Sequence, residues 1–520
     1  HGVTGSGKTE VYFELLQSTI ERGKRGLFLV PEISLTPQLI ERFSRRFGDE
    51  FAVIHSGLTD RERTNFWWDI VEKRKKILIG VRSALFCPID DLGIVIVDEE
   101  HEPSYKQDSQ FRYHARDAAV MLGKFFDCPV ILGSATPSME SWQNIQQGKF
   151  HYHSIPNRVG IAKLPEVTMV DLREEKNKCE EGDPYWLSPT LKYKIADQLE
   201  KKQQVLLFLN RRGEAHSVLC TDCGKNYSCP NCDVHLTLHS KNHLVCHYCD
   251  YHDTLAELCP DCGSDKVRDI GVGTEKVEKE LQRIFPNANV ARADRDEIQR
   301  RNDYENLIEN MMDRKIDILV GTQMVAKGLD FPGVDLVGVV MADLTLNLPD
   351  FRSAERTFQL TVQVAGRAGR HSSNGEVVIQ TYNPEHYSLS NALSHNYIEF
   401  AQQELSFRSE LAYPPAGQSA LIQIQGPTAE RTKKTGQNVR HFLQRALEEW
   451  NSRGDLKGVQ ILGPAPAPLS KLRGRFRFQI FLKGPKGSAL SNLVSLVASH
   501  LDLVEPGTRL SFDIDPINIV

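Results

Sequence analysis

An α/β chain of two doubly wound parallel sheets, the second interrupted by a cysteine-rich insert and followed by an α+β unit, is predicted by three features of the sequence. Short β-branched runs alternate with amphipathic stretches twice along the chain, eight of the eleven cysteines crowd between Cys220 and Cys262, and the pattern changes again after residue 400. A chain of 520 residues exceeds one ordinary hydrophobic core, so about three or four domains are expected.

The first alternation fills residues 1–160, with apolar runs at Gly26-Leu27-Phe28-Leu29-Val30, Lys76-Ile77-Leu78-Ile79-Gly80, Leu92 to Val97 and Val130-Ile131-Leu132. Continuous apolar strands between helical segments imply a parallel sheet covered on both faces. Val159 to Pro184, charged and punctuated by Pro and Gly, reads as a linker, so residues 161–216 are expected to hold it and the start of the second sheet. That sheet opens with Val205-Leu206-Leu207-Phe208-Leu209, is interrupted at 217–265, and resumes over 266–390 with Ile316 to Val320, Val334 to Met341 and Val377-Val378-Ile379. Residues 391–520 read as a separate α+β unit, with a strong amphipathic helix around Ala429 to Trp450.

Composition narrows the class. Apolar residues make up 40% and charged residues 25%, which excludes wholesale disorder, and a net charge of −5 excludes a chain that binds nucleic acid by bulk charge. No run approaches the roughly 18 apolar residues of a membrane span, and no basic-then-apolar leader opens the chain, so a cytoplasmic protein is expected.

Gly2-Val3-Thr4-Gly5-Ser6-Gly7-Lys8-Thr9 matches the G-x-x-x-x-G-K-[ST] phosphate loop at every position. Its glycines let successive N–H groups face phosphate oxygens at a helix N-terminus; Lys8 reaches the β- and γ-phosphates and Thr9 ligates Mg²⁺. Such a loop needs a β-strand ahead of it, so the sequence reads as a piece of a longer protein or one with a misplaced start. A second nucleotide element follows the strand Ile94-Val95-Ile96-Val97: in Asp98-Glu99-Glu100-His101, Asp98 is expected to hold the Mg²⁺ shell and Glu99 to act as general base on the attacking water.

The D-E-x-H box, with Gly133-Ser134-Ala135-Thr136-Pro137 after the next strand, resembles superfamily-two helicases. Pro31 to Gln38, Phe208-Leu209-Asn210-Arg211-Arg212-Gly213, Gly321 to Gly328 and Gln363-Val364-Ala365-Gly366-Arg367-Ala368-Gly369-Arg370 tighten the likeness. With the cysteine cluster and Gly463-Pro464-Ala465-Pro466-Ala467-Pro468, the whole chain resembles the bacterial primosomal replication-restart helicases. The resemblance implies two RecA-like lobes, ATP with Mg²⁺, 3′→5′ DNA unwinding at stalled or repaired forks, and help in reloading the replisome. It also implies single-stranded and forked DNA, primosome proteins and single-stranded-DNA-binding protein as partners, no membrane, and a bacterial, nucleoid-associated location. That family carries a DNA-binding region ahead of its motor, where adenine-binding residues would lie.

Several side chains acquire candidate roles. Arg370, with Arg367, is the candidate finger that reaches the nucleotide from lobe two, and Gln363 joins the nucleotide-binding set. Thr36 and Gln38 in lobe one, and Thr322 and Gln323 in lobe two, are candidates to hold a strand by its backbone. Tyr105 to Tyr113 interleaves aromatics with cations; the resemblance implies a loop coupling strand binding to hydrolysis, and composition equally allows a packed core loop.

Cys220-x₂-Cys223-x₅-Cys229-x₂-Cys232-x₁₃-Cys246-x₂-Cys249-x₉-Cys259-x₂-Cys262 forms four knuckles, enough for two structural Zn²⁺ ions. Spacing leaves three pairings open; the five-residue gap between the first two knuckles argues weakly against sequential pairing. The resemblance implies a nested arrangement, Cys220, Cys223, Cys259 and Cys262 on one ion and Cys229, Cys232, Cys246 and Cys249 on the other. His235, His239, His243 and His247 are superfluous as ligands and expected to face solvent. In the tail, Lys471 to Phe478 holds four cations and two aromatics and reads as a strand with one basic and one buried face, suited to DNA or a partner. Competing readings are an RNA helicase or duplex translocase, and a zinc-containing primosome scaffold.

Overall fold

The computed structural model describes residues 1–109, 111–159, 165–209, 217–239, 242–294, 301–322, 331–368, 375–451 and 458–519. The first lobe is a five-stranded parallel sheet of β1 (Arg25–Leu29), β2 (Phe51–Ile54), β3 (Ile77–Gly80), β4 (Leu92–Asp98) and β5 (Val130–Gly133), in the order β2-β3-β1-β4-β5. β1 and β3 are buried along their whole length, as strands covered on both faces must be, whereas β2 at the edge alternates. The helices are α1 (Lys8–Glu21), α2 (Pro37–Phe47), α3 (Asp60–Val71), α4 (Ala115–Phe126) and α5 (Met139–Gln146). Their starts are written locally: Thr36 caps α2 ahead of Pro37, and Thr59 with Glu62 forms a capping box on α3.

The second lobe is a six-stranded parallel sheet, β13-β14-β7-β15-β16-β6, made of β6 (Glu166–Asp171), β7 (Gln204–Phe208), β13 (Val290–Ala293), β14 (Ile318–Gly321), β15 (Val334–Val339) and β16 (Glu376–Thr381). Helices α6 (Pro189–Glu200), α7 (Thr274–Ile284), α8 (Arg301–Met312) and α9 (Ser353–Ala365) accompany it. The stretch expected as linker supplies the edge strand β6, whose Val167, Met169 and Val170 pack into the sheet's two cores. Its alternation is short and flanked by Pro165 and acidic residues, which disguises it.

Between β7 and α7 lie β8 (Val218–Cys220), β9 (Thr237–His239), β10 (His243–Val245), β11 (His252–Thr254) and β12 (Val267–Asp269), all short and antiparallel. After β16, α10 (Tyr387–Leu393) and α11 (Tyr397–Glu410) do not join the C-terminal sheet. They complete a core that includes Met139 and Trp142 of lobe one and Phe358 and Val362 of lobe two. The C-terminal unit is an antiparallel sheet, β18-β19-β17-β20, of β17 (Gln418–Gly426), β18 (Gln460–Leu472), β19 (Arg475–Gly484) and β20 (Arg509–Ile514). Helices α12 (Ala429–Asn451) and α13 (Ala489–Ala498) cover one face, over Ile422, Ile424, Ile480 and Leu482. Leu421 and Phe481 point the other way, into the cysteine-rich insert. Among the described residues no helix is long and apolar enough to cross a membrane.

Candidate nucleotide cleft and zinc sites

The glycine-lysine loop curls because its glycines can. Gly5 and Gly7 take φ of +81° and +85°, and Gly7 caps α1, so the loop's N–H groups gather at a helix N-terminus. At Gly2 a Cβ would stand 2.5 Å from Ser6 Oγ and 2.8 Å from Lys8 Cγ, so only glycine fits. Lys8 Nζ donates to the Gly2 carbonyl at 2.7 Å, closing the loop on itself. Thr9 sits half-buried in the first turn of α1, and Val3 donates to Ile155 O at 3.2 Å.

Asp98 ends β4 and accepts a hydrogen bond from Tyr12 Oη at 3.0 Å. Burial, with the charge of Glu99 second, pushes the Asp98 carboxyl up to about 6, against the pull of Lys8. Glu99 holds φ of +47°, a left-handed backbone that a side chain adopts only under constraint. Ser6 Oγ, Glu99 Oε2, Thr136 Oγ1 and Gln363 Oε1 are buried without a hydrogen-bond partner. Orphan acceptors and hydroxyls around a lysine and a buried carboxylate suit a phosphate chain with a divalent cation.

Lobe two closes this site. His101, 2% exposed, stands 2.7 Å from Ser134 Oγ through Nδ1 and 2.6 Å from the Gln363 amide through Nε2. Gly366, at the end of α9, approaches the loop so closely that a Cβ there would lie 2.7–2.8 Å from the Thr4 side chain. Arg367 follows, half-buried; Gly369 and Arg370 lie outside the described residues, as do Asn210 to Gly213, Gln323 to Gly328 and Gln110. Sequence reasoning missed Arg158, whose side chain lies against Gly5 and whose Nη2 donates to Gly366 O at 3.3 Å. A single arginine just ahead of the stretch that reads as linker carries no local signal. Thr4 is β-branched and cannot swing clear, so Gly366→Ala is expected to wedge the lobes apart and cut ATP turnover by about tenfold or more with thermal stability retained, measured by steady-state hydrolysis beside calorimetry.

The candidate strand-holding residues behave differently from one another. Thr36 is buried and spends its hydroxyl capping α2, accepting from Leu39 N at 3.3 Å, while Gln38 is exposed. Thr322 is half-buried. In the 105–113 loop, Tyr105 is buried and donates to Asp98 O at 2.7 Å, and Lys106 is buried in a 2.8 Å ion pair with Asp513 of β20. Phe111 is exposed and stacks on Tyr113, so one part of the loop is packed and another offers an aromatic face. The tail reading needs correction: Arg475, Phe476, Arg477 and Phe478 are all half-buried, and no clean basic face emerges. The hairpin turns at Arg473 and Gly474 and its strand is shared between two packed surfaces.

The eight clustered cysteines form two groups, Cys220, Cys223, Cys259 and Cys262, and Cys229, Cys232, Cys246 and Cys249, with the ligand atoms of each within 4.8 Å of one another. Cys220–Cys262, Cys223–Cys259 and Cys229–Cys249 sulfurs are 3.7, 3.6 and 3.6 Å apart. A tetrahedron with Zn–S of about 2.3 Å has edges of about 3.8 Å, far longer than a disulfide, so both sets fit structural zinc. The histidine expectation fails at His247: it is buried, Nδ1 lies 2.8 Å from Pro466 O, and Nε2 lies 3.1 Å from His239. It docks the second group onto β18, and the amphipathic imidazole made it look like surface. His243 is exposed, and His235 and His239 are half-buried.

Family models match each part: a DEAD/DEAH box helicase over residues 1–145, the helicase conserved C-terminal domain over 268–372, the PriA DNA helicase cysteine-rich region over 229–253, and the primosomal protein N C-terminal domain over 409–517. Two parallel-sheet lobes closing on one phosphate loop thus define a superfamily-two helicase motor. The chain is 43% identical over 99% of its length to the replication restart protein PriA of Bacillus subtilis and spans 63% of that protein. Against its counterparts in Haemophilus influenzae and Treponema pallidum the identities are 41% and 38%, covering 99% and 100% of this chain and 69% and 77% of theirs. It belongs to the PriA family of replication restart proteins. A solved structure of RecG bound to a three-way DNA junction is 14% identical, with a TM-score of 0.46, over 78% of this chain and 43% of that one.

Proposed function

We propose that this chain is the motor portion of an ATP-dependent DNA helicase that travels 3′→5′ on DNA at stalled or repaired forks and helps reload the replisome. The observation that carries the reading is the meeting of Thr4 and Gly366, with His101 against Gln363, which brings the phosphate loop and the arginine-bearing segment to one cleft. Gly2 to Thr9 would cradle the phosphates, Thr9 and Asp98 would hold Mg²⁺, and Glu99 would take the proton of the attacking water. Arg367, and Arg370 beyond the described residues, would supply positive charge to the transferring phosphoryl group. A magnesium ion held there would neutralise part of the phosphate charge. ATP therefore favours the closed lobes and hydrolysis releases them, a population shift that can ratchet a strand.

Single-stranded and forked DNA, primosome proteins and single-stranded-DNA-binding protein are the proposed partners, and the nucleoid of the bacterial cytoplasm the proposed location; the relatives' name, replication restart protein, supports the role in replication restart. The test compares ATP hydrolysis by the full-length protein on single-stranded DNA, forked DNA and RNA. Stimulation by both DNAs is expected to exceed that by RNA by about tenfold, the scale of a typical coupling between two ligands. Equal stimulation by RNA would reject the DNA assignment, and hydrolysis without strand separation would leave a translocase.

A further inference from the structure

Glu100 takes no part in the cleft chemistry above. Its carboxylate is buried in the protein, 1% exposed, and both oxygens are engaged. Oε1 accepts the Ser138 backbone N–H at 2.7 Å; Oε2 accepts Ser138 Oγ at 3.1 Å, Ser141 Oγ at 2.9 Å and Arg116 Nη1 at 3.3 Å. Ser138 is the N-cap of α5, the helix that follows Gly133-Ser134-Ala135-Thr136-Pro137. The next backbone donor, Met139 N, is accepted by Glu355 of α9 at 3.1 Å. One helix N-terminus is therefore held by a carboxylate from each lobe, where the helix dipole and unsatisfied N–H groups favour negative charge.

The link continues outward. Glu355 accepts from Arg408 Nη2 of α11 at 2.7 Å, and Arg408 donates to Glu404 at 2.7 Å and to Pro414 O at 3.1 Å, at the entrance to the C-terminal sheet. A parallel strut joins Glu140 of α5 to Arg352 at 3.4 Å. Burial opposes ionisation of Glu140, and the charges of Arg352, Arg116 and Arg408 outweigh it, holding the carboxyl down at about 2. Exposed ion pairs hold geometry weakly, but Glu100, Arg116, Glu355 and Arg408 are all buried, where an unpaired charge is costly and the arrangement becomes all-or-none.

We propose that Glu100 is a positioning residue that couples the acidic box to lobe two and the C-terminal unit through α5, Glu355 and Arg408. This rests on the motor reading. Glu100 follows Glu99 directly, so any rearrangement of the strained Glu99 backbone during hydrolysis is delivered to α5 and from there to α9 and α11.

The test uses the full-length protein with Glu100→Gln, Glu355→Gln and the double variant. Each single variant is expected to separate about tenfold fewer base pairs per ATP hydrolysed, with KM for ATP within about twofold of wild type. The double variant is expected to be no worse than either single one, because both interrupt one path. Hydrogen exchange provides a readout independent of activity: α11 in Glu100→Gln should exchange about tenfold faster although Glu100 makes its hydrogen bonds to Ser138, Ser141 and Arg116 and to no residue of α11. Unaltered exchange in α11 of both variants, or hydrolysis and strand separation falling in equal proportion, would overturn the coupling. Wild-type protein that neither hydrolyses ATP nor separates strands would instead overturn the motor reading, and the exchange result would still decide the coupling. Should Glu100→Gln not fold, Glu355→Gln, on α9 of lobe two, carries both readouts.

Discussion

Glu99→Gln is expected to keep ATP bound and to slow its hydrolysis by about 100-fold or more, the loss that removing a general base brings. The substitution is nearly isosteric, so it changes proton affinity and little else. Glu99 is set where such a change is decisive: it follows the buried Asp98, its backbone is held at φ +47°, and Oε2 is buried with no hydrogen-bond partner. A carboxylate oxygen left without a donor is free to accept a proton, and an amide there cannot. Lys8→Ala separates binding from chemistry: removing the cation that closes the loop onto Gly2 should weaken productive nucleotide binding itself. Single-turnover hydrolysis and fluorescent-nucleotide titration on the full-length protein read both effects. Near-normal turnover in both variants would remove the mechanism assigned to this cleft.

The parts of the molecule that sequence made legible are those written in short-range terms. The phosphate loop is eight consecutive residues whose glycine positions are forced by close approach and positive φ. The buried strands β1, β3, β7 and β14 read as unbroken apolar runs because both faces are covered. The cysteine knuckles announce a metal by spacing, although only the fold decides which knuckles meet. What escaped depends on contacts made at long range. Glu100 looks like a spare acid beside two candidate catalytic ones; its use appears only when α5 folds back over it. β6 is six residues in a charged stretch and becomes a strand because β16 offers an edge. Helix α11 lies in the stretch 391–520 that reads as the tail, yet Phe358 and Phe400 stack with centroids 4.1 Å apart and draw it onto lobe two. Arg158 gains meaning only from Gly5 and Gly366, which reach it from the two lobes.

The two zinc groups are expected to differ sharply in their effect on stability. Cys229, Cys232 and Cys246 are buried and share a core with Tyr248, Tyr413, Leu421 and Phe481, so the second group is a joint between insert and C-terminal sheet. Tyr413 Oη donates to Cys232 O at 2.9 Å, Gln479 donates to His247 O at 3.0 Å, and Tyr248 packs on Phe481 at 4.8 Å between centroids. These bonds use backbone atoms of the knuckles themselves, whose turns are fixed by the metal. The first group ends at the exposed Cys262 and meets lobe two through the short strands β8 and β12 and through polar contacts, Lys176 Nζ donating to Thr221 O at 3.4 Å and Arg173 Nη1 to Cys223 O at 3.5 Å. Because zinc binding and folding of a knuckle are one event, losing a thiolate from the second group releases the knuckle and with it the docked sheet. Cys246→Ala is therefore expected to leave one zinc ion per chain and to lower Tm by about 10 °C or more, exposing the 413–420 segment to protease. Cys262→Ala should also lose one ion, yet shift Tm by less than half as much, because Cys262 is exposed and stands outside the core shared with the C-terminal sheet. Metal analysis and calorimetry on the full-length protein decide the matter: fewer than two zinc ions in wild type would reject the eight-thiolate arrangement, and equal destabilisation by the two substitutions would reject the joint.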